Sequence, residues 1–546
     1  MRLARSLCLV AACLLPLFAQ AGKQTVCTIT INSADEKQTF RRFLPADKYD
    51  FVELVERNRP DWLASSCEAK VSCDVLLISG HHGEGNVFFS DALDRGEHLP
   101  IAELERVACS DSCPSLFANL KEVYLFGCDT MNPQAQHTIG GEVARSYVRE
   151  GRSAGEAARL AQLLRAERGE SSRDRMRLVF KDVPVIYGFS SAAPLGPQAA
   201  VTLNQYFRTT GNGEVGKGRA SGGLLRQFAP QGLVAARGMA EGDALAGLRR
   251  DICTFANDRL TPAQRLEAVH QILQRPVAES RLLLDRLEAF AGTLDPAARR
   301  QPEVAEVLAR IGRDGEARDR YLAFARDADQ PETRARMIGV AHAVGWLSPA
   351  QRRDELVQMF SEMMERKSIA GTEVGLACRL NKDGALDGAL TRVSAPAAGV
   401  GHAALLACMG DAQARPRALK GLVSADDAEV RIAQFYLRHR PITDSDELRA
   451  MTREIAGMDG AEAQARALDV LARHYLSDRE SVETLKKLYA KTGAWPVQNA
   501  IAGVLIRADP KAAGGEDVLR TLREYRLKSL PEGNMVDALI ERLQLS

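Results

Sequence analysis

The sequence predicts a mostly parallel α/β sheet flanked by helices, followed by an all-α solenoid of helical hairpins. Three observations predict it. Short apolar β-like runs alternate with helical stretches between Cys27 and about Ser190, the signature of an α/β layer. After about Asp251 the β signal vanishes and amphipathic helices run to the C-terminus. Some of those helices repeat with a period near 35 residues. At 546 residues the chain also exceeds one ordinary core, so two or more domains are expected.

The first 21 residues carry Arg2 and Arg5, an apolar run from Leu7 to Phe18, then Ala19-Gln20-Ala21. That is the three-part pattern of a secretory signal, cleaved after Ala21. Lipoprotein processing at Cys13 is the lesser alternative, because the apolar run ahead of Cys13 is very short and apolar sequence continues past it. No later segment approaches about 18 uninterrupted apolar residues, so no membrane span is expected. The chain is thus predicted to be exported, periplasmic or extracellular. The 72 Lys and Arg balance the 71 Asp and Glu, which gives no electrostatic ground for nucleic acid or an acidic membrane surface as partner.

Residues 22–223 are assigned to the α/β domain with its linker. Its strands are read at "CTITI", "DVLLIS", "NVFFS", "EVYLFG" and "VPVIYGFS". "NVFFS" follows the preceding strand too closely for a crossover and is expected in a hairpin or at an edge. "DKYDFVELVERN", "PIAELERVA" and "GGEVARSYVREGRSAGEAARLAQLLRAE" read as helices. "SSAAPLGPQAA" and "TTGNGEVGKGRASGG" read as a loop-rich link that marks the far edge of the domain near Gly223.

The solenoid is assigned to residues 251–546. In "TPAQRLEAVHQILQR", Thr261 is an N-cap, Pro262 opens the helix, and Leu266, Val269, Ile272 and Leu273 share one face. Further on, "EVRIAQFYLRHRP", "AQARALDVLARHY" and "VQNAIAGVLIRADP" superpose with Arg438, Arg473 and Arg507 in register, at offsets of 35 and 34. The apolar positions Ala433, Leu468 and Ala502 follow the same register, as do Leu437, Ala472 and Ile506. Such a period belongs to HEAT-like helical hairpins, each burying its apolar face by stacking on the next. An irregular helical bundle is the alternative.

Eleven cysteines are encoded, and Cys8 and Cys13 fall in the leader, which leaves nine. In an oxidising compartment an odd count implies a thiol without an intramolecular partner, for which Cys128 is the candidate. Cys67/Cys73 and Cys109/Cys113 are close pairs in polar sequence where bridges can form, and Cys378/Cys408 are placed to staple two helices.

Two strands end in chemically useful residues. "DVLLIS" stops at Gly80 and delivers His81, His82 and Gly83, while "EVYLFG" delivers Cys128. Ligands and reactive groups gather outside the carboxyl ends of parallel strands. If the two strands are neighbours, an imidazole and a thiol meet although 46 positions apart from His82 to Cys128. Such a pair serves nucleophilic attack on a carbonyl, with imidazole taking the thiol proton and returning it to the leaving amine. The backbone N–H groups of Gly83 and Cys128 are the candidate oxyanion donors.

On these residues the sequence resembles the caspase-like cysteine peptidases, a group that includes caspases, legumains, gingipains, clostripain, separase and bacterial caspase-like domains. Their shared pattern, an apolar strand ending in His-Gly and a second ending in the nucleophilic Cys, corresponds to "VLLISGHHG" and "VYLFGCDT". The spacing is near the roughly 50 residues of caspases. The resemblance implies a caspase-like sheet over about 170 residues, with His82 as general base and Cys128 as nucleophile. It also implies a peptide or protein substrate, whose pocket is lined in part by the loop after "VPVIYGFSS". Asp129, Glu84 and Ser190 are the pocket candidates, and among the acids Glu84, Asp91 and Asp129 none is favoured for selecting Arg or Lys.

The caspase signature Gln-Ala-Cys-x-Gly is absent, so aspartate specificity has no support; Gly127-Cys128-Asp129-Thr130 is nearer to bacterial caspase-like domains that accompany helical repeats. His137 is the reserve base, and His98 is the other histidine of the domain. A histidine pair in a Gly-rich turn and a small apolar cysteine at a strand end also have purely structural uses. A zinc site of His81, His82 and Cys128 is a weaker reading, because adjacent histidines rarely face one metal. The chemistry expected needs no cofactor. The rival class is a non-catalytic envelope scaffold that acts through a partner bound to the solenoid.

Overall fold

The computed structural model describes residues 22–55, 63–83, 87–90, 98–134, 141–167, 171–390, 399–513, 515–531 and 533–545, without side chains for 163–167 and 545. Residues 1–21, read above as a leader and including Cys13, and also Glu84, Asp91 and His137, lie outside the described residues. The chain divides into two compact units, Met1–Ala317 and Arg318–Ser546.

The first unit is built on a six-stranded sheet of β1 (Gln24–Thr30), β2 (Tyr49–Val55), β3 (Val75–Ser79), β7 (Glu122–Phe126), β8 (Val185–Phe189) and β9 (Leu233–Ala236). Their order is β2-β1-β3-β7-β8-β9, parallel throughout except for antiparallel β9. Every residue of β3, β7 and β8 is buried, as expected of central strands covered on both faces. Alternate side chains feed two cores. Cys27, Ile29, Leu76, Ile78, Val123 and Leu125 meet Leu104 and Val107 of α3 (Ile101–Cys109) and Met176 and Val179 of α6 (Ser172–Val179). Val26, Val75, Leu77, Tyr124 and Tyr187 meet Phe40 of α1 (Asp35–Phe43) and Leu203, Tyr206 and Phe207 of α7 (Gly196–Thr210).

A separate small sheet follows β3, formed by β4 (His81–Gly83), β5 (Val87–Phe89) and β6 (His98–Pro100). "NVFFS" is therefore a hairpin strand, antiparallel to β4 and β6. The stretch read as helix from Asp47 contains strand β2 instead. Tyr49, Phe51, Val52 and Val55 suit a pleated surface, and the Glu53 carboxylate is satisfied across the sheet by Thr28 Oγ1 (2.5 Å), the Thr30 N–H (3.0 Å) and Lys37 Nζ (2.9 Å). The long helical stretch after Gly141 is broken at Gly151, whose φ of 90° is left-handed, into α4 (Glu142–Arg149) and α5 (Ala154–Glu167). The sheet also continues beyond Gly223, because β9 adds an edge strand there. The glycine-rich link is pinned under the sheet by Glu122, which is wholly buried and accepts hydrogen bonds from the Gly216 and Gly218 amides and from Tyr124 OH (2.9, 2.9 and 2.7 Å).

The cysteines pair as Cys27–Cys73, Cys67–Cys113, Cys109–Cys253 and Cys378–Cys408. The bridges Cys67–Cys73 and Cys109–Cys113, suggested by proximity in sequence, are not formed. Cys27 on β1 faces the chain entering β3, and α3 presents Cys109 to the helix Ala246–Ala256, so tertiary neighbours displace sequence neighbours. Cys378–Cys408 joins two helices as expected, and Cys128 is free. Four bridges accord with an oxidising, non-cytoplasmic compartment. No helix of the described residues is long and apolar enough to cross a membrane.

Among the described residues, the regular elements that follow β9 are all helices. Those between Ala246 and Arg313 belong to the first unit, although the change of character in the sequence falls near 251. Arg249 donates to the carbonyls of Ala108 (2.8 Å) and Leu178, and Cys253 is bridged to α3, which ties these helices to the sheet-bearing part. Thr261 caps the helix Pro262–Gln274 in a capping box with Gln264, and Leu266, Val269, Ile272 and Leu273 are buried.

In the second unit the helices stack in two series. Ala461–Leu471 packs on Trp495–Leu505, which packs on Met535–Leu545; Ser445–Ala456 packs on Arg479–Lys491, which packs on Glu516–Glu524. Equivalent side chains recur at the joints. Asp444 and Asp478 cap successive helices. Buried Gln464 and Gln498 donate to the Ile455 (2.8 Å) and Tyr489 (3.2 Å) carbonyls, and Arg507 and Arg542 donate to Ala472 O (3.3 Å) and Ile506 O.

Candidate functional site

Strands β3 and β7 are neighbours, parallel and in register from Val75/Glu122 to Ser79/Phe126, so Gly80 and Gly127 leave the sheet side by side. The Gly80 N–H donates to Phe126 O at 3.2 Å. A Cβ on Gly127 would lie 2.8 Å from Gly80 O and 2.9 Å from His82 Cβ, so this close crossing requires glycine.

His82, on β4 opposite Phe88, is 4% exposed, with its ring 5.0 Å from the Phe88 ring. Its Nδ1 lies 2.9 Å from the carbonyl oxygen of Cys128. A carbonyl only accepts, so Nδ1 carries the proton and Nε2 the lone pair. Nε2 is buried and has no hydrogen-bond partner among the described residues. Burial lowers the pKa of His82, and the charge of Arg175 adds to this; the Cys128 carbonyl and Asp129 oppose it.

Cys128 is half-buried, and its Sγ accepts a hydrogen bond from the Ala193 N–H at 3.3 Å. The turn that presents it is stitched to the end of β8. Asp129 donates its N–H to Ser191 O (2.8 Å), Met131 donates to Phe189 O (2.9 Å), and Thr130 Oγ1 bridges Gly127 O and the Phe189 N–H (both 3.1 Å). Asp129 pays for this arrangement with a left-handed φ of 55°, a conformation that non-glycine residues hold only where surrounding bonds impose it.

Of the other residues singled out in sequence, Gly83 is paired opposite Val87, and the Asp129 carboxylate accepts from Asn132 Nδ2 at 2.9 Å. Ser190 directs both its N–H and Oγ to Gly232 O, each at 3.0 Å, which commits its hydroxyl to the turn before β9. His81 is half-buried with its ring 5.4 Å from that of Phe89, and His98 is exposed on β6. No group of three or more His, Cys, Asp or Glu side chains among the described residues is arranged to hold a metal ion.

No family model, curated protein or solved structure matches the chain. What this edge can do is therefore read from its atoms: a neutral imidazole, a free thiol and main-chain amides at the ends of adjacent parallel strands.

Sequence reasoning missed two contributors. The Ala193 amide reaches the sulfur from a loop far along the chain, and no side-chain signal marks it. Glu36, in the first turn of α1, is 3% exposed, and its carboxyl is pushed up to about 7 by burial, against the hydrogen bonds of Ser79 and Ser33. Ser79 is the last residue of β3, so this acid abuts the strand end that carries the histidines. An acid in a first helical turn reads as a partner of the helix dipole, and nothing local announces its burial.

Proposed function

We propose that the chain is an exported caspase-like cysteine peptidase, hydrolysing peptide bonds through Cys128 and His82, with a HEAT-like solenoid that docks a substrate or partner protein. The observation that carries the reading is the contact of the His82 imidazole with the main chain of Cys128, the cysteine left unbridged among the described residues. Neighbouring parallel strands supply both residues, which is what the resemblance to caspase-like peptidases calls for.

With Nδ1–H bonded to the Cys128 carbonyl, Nε2 is the atom assigned to take the thiol proton. Sulfur then attacks the substrate carbonyl carbon, and the oxyanion is held by main-chain N–H groups. The Cys128 amide makes no hydrogen bond among the described residues and is the first candidate; Gly83 is the second. Protonated His82 gives its proton to the leaving amine as the C–N bond breaks, and water, deprotonated by the same imidazole, releases the acid from the thioester.

One observation favours a non-catalytic scaffold instead: Nε2 of His82 is buried, and the ring is bonded to the carbonyl of Cys128 rather than to its sulfur. Iodoacetamide labelling of Cys128 in the oxidised, leader-free chain separates the two. Rapid labelling that slows in His82→Ala, together with peptide-library cleavage lost in Cys128→Ser, supports the peptidase. Labelling unchanged by His82→Ala, with no cleavage above the Cys128→Ser background, supports the scaffold.

A further inference from the structure

The arginine repeat of the second unit has one irregular step. Arg542 donates to Ile506 O and Arg507 to Ala472 O, so each guanidinium satisfies a carbonyl at the end of the helix one repeat earlier. By the same register Arg473 belongs on the end of the helix Asp427–His439, near Leu437. Its guanidinium makes no hydrogen bond there or elsewhere among the described residues. Between the two lies a cavity of about 320 Å³, lined by Arg473, Leu437, Arg438, Asp469 and His474 among others.

Arg473 and Asp469 attract one another electrostatically here, without a hydrogen bond between them among the described residues. Arg438 stacks its guanidinium 5.2 Å from the Phe435 ring and makes no hydrogen bond among the described residues, and the Asp469 carboxylate likewise makes none. His474 is 6% exposed, and its Nδ1 lies 3.2 Å from Val470 O, which fixes the proton on Nδ1. Its Nε2 is buried without a partner. Two guanidinium donors and one carboxylate acceptor thus line one cavity.

We infer that this cavity binds an acidic peptide segment, whose side-chain carboxylate is held by Arg438 and Arg473 and whose backbone N–H groups donate to Asp469. A peptide supplies both kinds of group, carboxylate acceptors and N–H donors. Phosphate, an anion at neutral pH, offers at most one or two donors and presents only oxygens to Asp469. The volume falls in the range of small-ligand sites, and Leu437, Pro441 and Val470 give it apolar walls. The inference is independent of the chemistry at Cys128.

The test is fluorescence anisotropy on the full oxidised chain, with a labelled, end-blocked peptide of alternating aspartate and glycine. The expected result is saturable binding that weakens with salt and falls roughly tenfold or more in Arg473→Ala and in Arg438→Ala, both exposed positions whose truncation leaves the fold intact. Arg507→Ala, whose guanidinium is spent on Ala472 O, retains binding and loses thermal stability instead. No binding of the peptide, binding indifferent to Arg473→Ala, or binding of inorganic phosphate with none of the peptide would overturn the assignment.

Discussion

The imidazole of His82 and the carbonyl of Cys128 are joined by a 2.9 Å hydrogen bond, so the ring is fixed against the backbone of the residue whose thiol it would serve. This one bond sets the tautomer, buries the ring beside Phe88 and ties the end of β3 to the turn after β7. Stability and chemistry at this edge are therefore coupled.

The first prediction concerns the acid side of the stability curve. The pKa of His82 is lowered in the folded chain, chiefly by burial, so the unfolded chain binds a proton that the folded one refuses. The stabilisation is complete above the unfolded value near 6.5 and is lost as pH falls through the folded value. His82→Gln keeps a donor for the Cys128 carbonyl and cannot titrate. Urea midpoints at pH 7.5 and pH 5 should fall further for the wild type than for the variant; parallel falls would mean that His82 is protonated freely in the folded state.

Glu36 predicts the opposite slope. Its folded value of about 7 lies above the ordinary 4.5, so its contribution is whole below about 4.5 and lost as pH rises through 7. The span corresponds to roughly 3 kcal/mol. Glu36→Gln, which mimics the neutral acid beside Ser79, should match the wild type at pH 4.5 and exceed it at pH 8. A variant less stable than the wild type at pH 8 would show that the carboxylate is wanted there in its charged form.

Legibility followed the range of the interactions. The central strands were readable because β3, β7 and β8 are buried on both faces and so are continuous apolar runs, and the capped helix at Thr261 was readable because its signals lie within one turn. Strand β2 reads as a helix in the sequence because what holds it, the Glu53 network onto β1 and Lys37, is non-local. The same reason defeated the disulfide pairing: Cys67 and Cys73 are close in sequence, yet each faces a different element. His82 and Cys128 were legible as strand ends; the Ala193 amide and buried Glu36 beside them were not, since backbone donors and burial leave no local pattern.

The bridges give a third prediction. Under non-reducing denaturation, alkylation of the leader-free chain should mark Cys128 alone, and peptide mapping should recover Cys27 with Cys73, Cys67 with Cys113, and Cys109 with Cys253. Cys109–Cys253 spans 144 residues and should stabilise most by loop closure. Replacing both cysteines by serine is expected to cost about 3–5 kcal/mol, read from urea midpoints. A loss below about 1 kcal/mol would show that the contacts of Arg249 suffice to hold those helices on α3.

The last prediction tests what holds successive helices of the second unit together. Gln498 is wholly buried; its Nε2 donates to Tyr489 O (3.2 Å) and Tyr525 O (2.7 Å), and its Oε1 accepts from the Leu527 N–H (3.0 Å). One amide thus satisfies backbone groups from three positions. Gln498→Leu preserves volume and strands all three, at about 1–3 kcal/mol for each group that water cannot reach, so a loss of roughly 3 kcal/mol or more is expected. Gln498→Glu keeps an acceptor for Leu527 but turns a carboxylate toward two carbonyls. It should be destabilised at pH 7 and partly restored at pH 4, where the protonated acid can again donate. Midpoints for Gln498→Leu equal to the wild type would mean that apolar stacking alone sets the joint, and that the recurrence of glutamine at 464 and 498 reflects no shared mechanical role.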